Sequence, residues 1–350
     1  MNLVNCRIHA KESLVLEPLA PLEPKPDEVL IRLGAGGICG SDLHYFLEGR
    51  VGNFVVREPL TPGHEASGVL EAVGSNAKGL APGMKVAVNP SHPCGRCAAC
   101  RGGRENLCER MFFLGSASVF PHAQGMFADR FILGSRQVIP VDTDISLGEL
   151  AFAEPFAVGL HAVQRAGGNL TGKRVLVTGA GTIGALCATA AKLAGAAEVA
   201  VCDVLDRPLE VARQVGADLT FRSDQTDAGT YAGRFDVALE AAGHPRALTS
   251  CLDAVRRGGV IVQVGTLPHE GMQFPANLVM QREIDYRGAF RWGIEFDWAV
   301  DYLARRKVDV RPLLTRQYPL SQAAEAFRHA ADKTRATKVQ VVGAGSPVEF

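Results

Sequence analysis

The sequence predicts a two-domain α/β chain, a β-rich domain carrying metal ligands followed by a doubly wound parallel sheet. Three observations carry this expectation. At 350 residues the chain exceeds one typical hydrophobic core. Near Ser146 its texture changes, from short apolar runs cut by Gly and Pro to strands alternating with helical stretches. Lastly, Gly179–Ala180–Gly181–Thr182–Ile183–Gly184 joins a predicted strand to a predicted helix.

Lys+Arg and Asp+Glu are equal at 37 each, which argues against nucleic acid or an acidic membrane as the main partner. The opening residues lack a basic flank followed by an apolar block. The most apolar uncharged run, 175–191, is short of the roughly 20 residues a span needs and holds three glycines. A cytoplasmic protein without a membrane partner is expected, and its nine cysteines then point to metal and packing roles rather than disulfides.

Along the β-rich part, strands are predicted within 29–33, 67–73 and 85–88. Between the first two lies Gly37–Ile38–Cys39–Gly40–Ser41–Asp42, and 25 residues after Cys39 comes Gly63–His64–Glu65. A soft thiolate, an imidazole and a carboxylate without a fourth local ligand suit a catalytic zinc with an open position. A core cysteine beside a helix-capping His-Glu pair is the plainer alternative. Cys94, Cys97, Cys100 and Cys108 then place four thiolates within fifteen residues, enough to close a tetrahedral structural zinc site. An iron–sulfur pattern would have a three-residue final gap followed by proline; here the gap is seven and Glu109 follows.

Glu154–Pro155 opens a predicted helix, with proline in the first turn where its missing N–H does no harm. Strand 174–178 runs into the glycine stretch, and Asp203 ends the next strand, nineteen residues after Gly184. This is the dinucleotide-binding context. The glycines allow a tight turn and close backbone approach to a pyrophosphate at the helix N-terminus, and Asp203 can accept from ribose hydroxyls. A 2′-phosphate would be repelled there, so NAD is expected over NADP. Further on, a helix over 246–256 stopped by Gly258–Gly259 and a strand over 260–264 are predicted. Val264, Gly265 and Thr266 stand at that strand's carboxyl end, the ligand-binding edge of such sheets. The tail, with helices over 295–305 and 321–330 and a strand over 338–342, is expected to pack back on the first domain. Cys6, Cys187, Cys202 and Cys251 are assigned to packing, and His269, with the other remaining histidines, to no metal role.

Taken together and in this order, Cys39 in its Gly-Ile-Cys-Gly-Ser-Asp setting, Gly63–His64–Glu65, the four-cysteine lobe and the nucleotide fingerprint resemble the zinc-dependent medium-chain dehydrogenases over nearly the whole chain. The stretches 41–46, 52–54 and 63–68 look like the polyol branch of that family. Those at 89–94 and 112–122 look closer to its members acting on sugar acids. The resemblance implies a GroES-like catalytic domain, 1–147 completed by 289–350, and a Rossmann domain, 148–288. It implies a homo-oligomer, dimer or tetramer, and a sugar acid or neutral polyol as substrate. Ser41 and His44 would relay the proton, and Glu154 would serve the zinc as ligand or through water. Tyr45, Glu154, Arg291 and Trp292 would line the substrate pocket, with Phe290–Arg291 near the nicotinamide. One departure is Pro208, which stands where the family often has an arginine five residues after the ribose-binding acid. Two other readings compete: a reductase without catalytic metal, against which the Cys39–His64–Glu65 set argues, and a zinc-binding scaffold, which has no use for a proton path.

Overall fold

The computed structural model describes residues 3–268 and 271–348; His269 lies outside them. Two compact units emerge, Met1–Glu154 with Phe296–Phe350, and Pro155–Glu295.

The first unit is built on a seven-stranded sheet in the order Val138–Val141, Lys85–Val88, Glu65–Val73, Glu28–Gly37, Lys338–Val342, Leu314–Pro319, with Arg130–Gly134 also paired to Glu28–Gly37. Glu28–Gly37 is its spine. Val29, Ile31 and Leu33 are wholly buried at alternate positions, and from Leu33 onward every residue of the strand is buried because both faces are covered. Lys338–Val342, buried along its whole length, pairs antiparallel with this spine at Gly37–Ala35. The expected return of the tail is thus made by a strand inserted into the centre of the sheet.

The second unit is a six-stranded parallel sheet in the order Leu219–Arg222, Glu198–Asp203, Arg174–Thr178, Phe235–Glu240, Val255–Gln263, Asp285–Gly288. Numbered by chain order this is 3-2-1-4-5-6, the dinucleotide-binding arrangement, with its switch point beside Arg174–Thr178. Val175, Val177, Val199 and Val201 are fully buried, the continuous apolar runs that a sheet covered on both faces requires.

One expectation fails here. The helix ends at Ala254, and the Gly258–Gly259 pair lies inside strand Val255–Gln263 instead of stopping the helix. Register with the neighbouring strand shifts between Phe235 and Val237, and Gly258 takes φ +66. The pair therefore absorbs a bulge in a continuous strand. Among the described residues, no helix is long and apolar enough to cross a membrane.

Candidate active site and metal centres

Cys39 caps the N-terminus of helix Gly40–Glu48, and its own N–H donates to Asp42 Oδ2 at 3.0 Å. The other oxygen of Asp42 accepts the Gly63 N–H at 3.0 Å and lies 3.7 Å from His64 Nδ1. A single carboxylate with no exposed surface therefore ties together the two segments that carry Cys39 and His64. Glu65 begins the strand paired with Gly37, and its carboxylate folds over that residue so closely that a Cβ at Gly37 would collide with Oε2. The ligand atoms of Cys39, His64 and Glu65 all fall within 4.8 Å of one another.

Behind Glu65 stands Lys338, 5% exposed, which no motif in the sequence marks. Its Nζ lies 2.8 and 2.7 Å from the two Glu65 oxygens and donates to the Ile38 carbonyl at 3.1 Å. Burial works to lower the Lys338 pKa, but Glu65 and Cys39 outweigh it and hold the ammonium charged. For His64, too, burial opposes the charge, while Asp42, Cys39 and Glu154 together drive its pKa well up. Burial pushes the Glu154 carboxyl up to about 8, against the pull of His64. These mutual influences place Glu154 in the same electrostatic neighbourhood as His64, Glu65 and Lys338, although among the described residues it stands outside the close ligand set.

The other expected residues of this region separate by depth. Ser41 is half-buried and His44 is exposed one helical turn on, with Nδ1 2.8 Å from Glu48 Oε1. Tyr45 is 2% exposed, and its hydroxyl accepts the Ala117 N–H at 3.0 Å. That places Tyr45 in the core as a brace for the 112–123 loop, whose Phe113 ring lies 5.5 Å from the His64 ring.

The second donor set is local. The sulfurs of Cys94, Cys97, Cys100 and Cys108 lie within 4.8 Å of one another. The Cys97–Cys100 separation is 3.5 Å, close to the roughly 3.8 Å that tetrahedral zinc–thiolate bonds imply. Backbone amides point at the sulfurs: Cys94 N–H to Cys108 at 3.2 Å, Cys100 N–H to Cys97 at 3.5 Å and Arg110 N–H to Cys108 at 3.4 Å. The amides of Cys100 and Glu109 hold the Cys97 thiol down to about 6. By donor chemistry the four sulfurs fit a closed zinc site, and the mixed set fits one with a position left for substrate. Cys6, Cys187, Cys202 and Cys251 are all buried, consistent with packing.

In the second unit, Gly179 takes φ +88 and Gly184 packs so closely on Gly179 that a Cβ would strike its carbonyl. Gly181 caps helix Thr182–Leu193, and a Cβ there would meet no protein atom, so the helix N-terminus can be approached by a phosphate. Asp203 Oδ2 accepts the Ala180 N–H at 2.7 Å, tying the strand-end acid to the glycine turn. The Val264 and Gly265 amides donate to the Glu240 carbonyl at 2.8 and 2.9 Å, so Val264, Gly265 and Thr266 stand at the carboxyl edge beside strand Phe235–Glu240. After the last strand, Phe290 is exposed, with the Arg291 guanidinium 4.8 Å from its ring centre. Trp292 is buried. Glu295 braces this turn, accepting the Gly293 N–H at 2.6 Å and lying 3.0 Å from His161 Nδ1.

Comparison with known proteins accords with this geometry. Residues 25–143 match the model of the alcohol dehydrogenase GroES-like domain, and residues 182–305 that of the zinc-binding dehydrogenases. The chain is 42% identical over 316 residues to L-idonate 5-dehydrogenase (NAD(P)(+)) of Escherichia coli K12, covering 89% of this chain and 91% of the relative. It is 38% identical over 328 residues to sorbitol dehydrogenase of Macaca fascicularis, covering 91% and 90%. The crystal structure of the Escherichia coli K-12 L-idonate 5-dehydrogenase superposes with a TM-score of 0.93 at 39% identity, covering 98% of each chain. This chain therefore belongs to the zinc-binding dehydrogenases with a GroES-like domain, a family of NAD(P)-linked alcohol dehydrogenases.

Proposed function

We propose that this dehydrogenase interconverts L-idonate and 5-keto-D-gluconate by hydride transfer, using NAD and two zinc ions per chain. The observation that carries the reaction class is the Cys39–His64–Glu65 set, with half-buried Cys39 beside buried His64 and Glu65, braced from one side by Asp42 and from the other by Lys338. The relative named for L-idonate and the similarity noted over 89–94 and 112–122 support the substrate. Cys39 and His64 hold the catalytic metal with a carboxylate oxygen. A carboxylate has about four acceptor directions, so Glu65 can serve Lys338 and a metal at once. Glu154 is the second acid toward the metal, directly or through water. Zinc at this set supplies Lewis-acid polarisation of a substrate oxygen, and bound NAD supplies the hydride acceptor.

The chain itself moves the proton. Ser41 Oγ and His44 lie three residues apart on one helical face, leading from a half-buried to an exposed position. The Glu48 carboxylate can only accept, so His44 carries its hydrogen on Nδ1 and offers Nε2 to the relay. In the second unit, Gly179, Gly181 and Gly184 with Thr182 and Ile183 form the pyrophosphate turn, and Asp203 takes the adenosine ribose hydroxyls. Val264, Gly265, Thr266 and Phe290 flank the nicotinamide half. Arg291 is the candidate partner for the substrate carboxylate, because a guanidinium engages both oxygens, and Trp292 supports its turn. The catalytic domain spans 1–147 and 289–350, the nucleotide domain 148–288. The chain works in the cytoplasm as a homo-oligomer, dimer or tetramer.

The test is NADH formation from NAD with L-idonate, D-gluconate, sorbitol, xylitol and L-threonine, in wild type and Arg291→Lys. The expected result is the highest kcat/KM for L-idonate and a larger loss on L-idonate than on sorbitol in the variant. A sorbitol value equal to or above that for L-idonate assigns the chain to sorbitol/xylitol oxidation, the second reading, which the sorbitol dehydrogenase relative supports. No turnover with any of them favours the scaffold.

A further inference from the structure

The ribose end of the nucleotide site contains an arginine occupied by the chain's own acids. Arg222 closes strand Leu219–Arg222 and stands directly opposite Asp203 in the parallel register, with the Ser223 N–H donating to the Asp203 carbonyl at 3.0 Å. Neighbouring strands run about 4.8 Å apart, so the guanidinium originates beside the acid assigned to the ribose hydroxyls. Nε and Nη2 of Arg222 bind Asp224 side-on, at 2.9 Å to Oδ1 and 2.7 Å to Oδ2. Its remaining terminal nitrogen, Nη1, donates to Asp206 Oδ2 at 3.0 Å. Asp206 is the first residue of helix Asp206–Gln214, three positions after Asp203. The pairing with Arg222 holds the Asp224 carboxyl below its ordinary range. Arg207, next in sequence to Asp206, is exposed and has no carboxylate partner among the described residues.

A fork-shaped guanidinium has the chemistry to pair with a phosphate, and this one stems from the strand position beside Asp203. Here both of its forks are closed. We infer that Asp206 and Asp224 set the cofactor preference by occupying Arg222, in the way a 2′-phosphate would, so that NADP meets a neutralised arginine beside the repelling carboxylate of Asp203. This rests on the proposal that NAD is the cofactor. It differs from that proposal in placing the discrimination on three residues outside the glycine turn and Asp203. The Asp203 carboxylate is itself held by the Ala180 and Leu205 amides, at 2.7 and 3.0 Å, and takes no part in the clamp on Arg222. The clamp is solvent-facing, with the Asp206 side chain 73% exposed, so isosteric replacement leaves the core untouched.

Dissociation constants for NADH and NADPH are measured by calorimetry on the intact, zinc-loaded protein, without substrate. The proteins are wild type, the double variant Asp206→Asn/Asp224→Asn, and that double variant with Arg222→Gln added. Wild type should bind NADH more tightly. The double variant should bind NADPH roughly tenfold more tightly than wild type, as one released charged pairing allows, with NADH within about twofold. The gain should shrink as salt is raised, and the triple variant should lose it. An unchanged NADPH constant in the double variant overturns the inference while leaving the NAD assignment standing. A gain that survives in the triple variant also overturns it, because loss of negative charge alone would then suffice. Wild-type preference for NADPH overturns the NAD assignment and, with it, any role of the clamp in excluding phosphate.

Discussion

The two donor sets of this chain are built by opposite means. Four cysteines within fifteen residues need only their own turns, and the backbone amides of Cys94, Cys100 and Arg110 point at the sulfurs they serve. Cys39, His64 and Glu65 are instead assembled through side chains drawn from distant segments. Asp42 reaches 21 residues to Gly63, and Lys338 reaches 273 residues to Glu65. A local site can form early and autonomously, and it fills its coordination with like ligands. A site assembled from the centre of a sheet exists only when that sheet is complete, and it can leave a position open because its ligands are fixed from outside. The first arrangement suits structure and the second suits chemistry.

Removing Cys39 should break the comparison most severely. Cys39→Ala is expected to abolish turnover and to lower zinc by about one per chain, with the melting temperature little changed. Mild chelation of wild type should do the same, because the open site exchanges first. Metal analysis finding iron, or a single zinc in untreated protein, would refute the two-site assignment. His44→Ala is the next largest expected effect, a fall in kcat of roughly 100-fold with zinc content and NAD affinity retained, as for a positioned proton-transfer group. Turnover near that of wild type across the pH range would remove His44 from the relay.

Lys338→Met asks whether the long-range brace matters to the metal. Leaving a buried carboxylate without its partner costs about 3–5 kcal/mol in the metal-free protein. Loss of such an outer partner also typically lowers metal affinity by about 10–100-fold. Comparing unfolding with and without zinc then resolves the part played by Glu65. If Glu65 binds the ion, zinc should restore most of the lost stability. Equal destabilisation in both forms would restrict Glu65 to positioning, with Glu154 as the acid at the metal.

The same contrast explains what could be read before the structure. The cysteine spacing and the glycine turn are local patterns that each map to one site, and Cys39 and Gly63–His64–Glu65 each stand out within their own short segment. Asp42 was visible only as a neighbour of Cys39, since its second bond, to Gly63, depends on a sheet crossing. Lys338 heads an apolar run that reads as a buried strand, and nothing near it in sequence signals a carboxylate. Tyr45 stands out in sequence only as a neighbour of Ser41 and His44, and the bond from the Ala117 N–H to its hydroxyl joins residues 72 apart. The two edge strands of the parallel sheet, Leu219–Arg222 and Asp285–Gly288, were missed because they are four residues long and only partly buried, so they lack the apolar run of the central strands. Gly258–Gly259 reads as a helix stop by local preference, whereas the ladder with Phe235–Glu240 makes it a bulge. There a tertiary partner overrides a local preference.

The smallest expected effect on chemistry comes from the closed set, and it is the sharpest check on the comparison. Cys100 is buried within its lobe, and its amide also serves Cys97. Cys100→Ser keeps the amide but replaces a soft thiolate with a poor zinc ligand. The variant should lose about one zinc per chain, melt at lower temperature and show altered assembly by light scattering. Its kcat per correctly loaded open site should stay within about twofold of wild type, because no residue of the Asp42–Lys338 brace touches the lobe's sulfurs. A large fall in kcat with full occupancy of the open site would mean that the lobe shapes the reaction, and the division between a structural and a chemical metal would fail. An unchanged melting temperature and unchanged zinc content would show instead that the four sulfurs do not close on a metal at all.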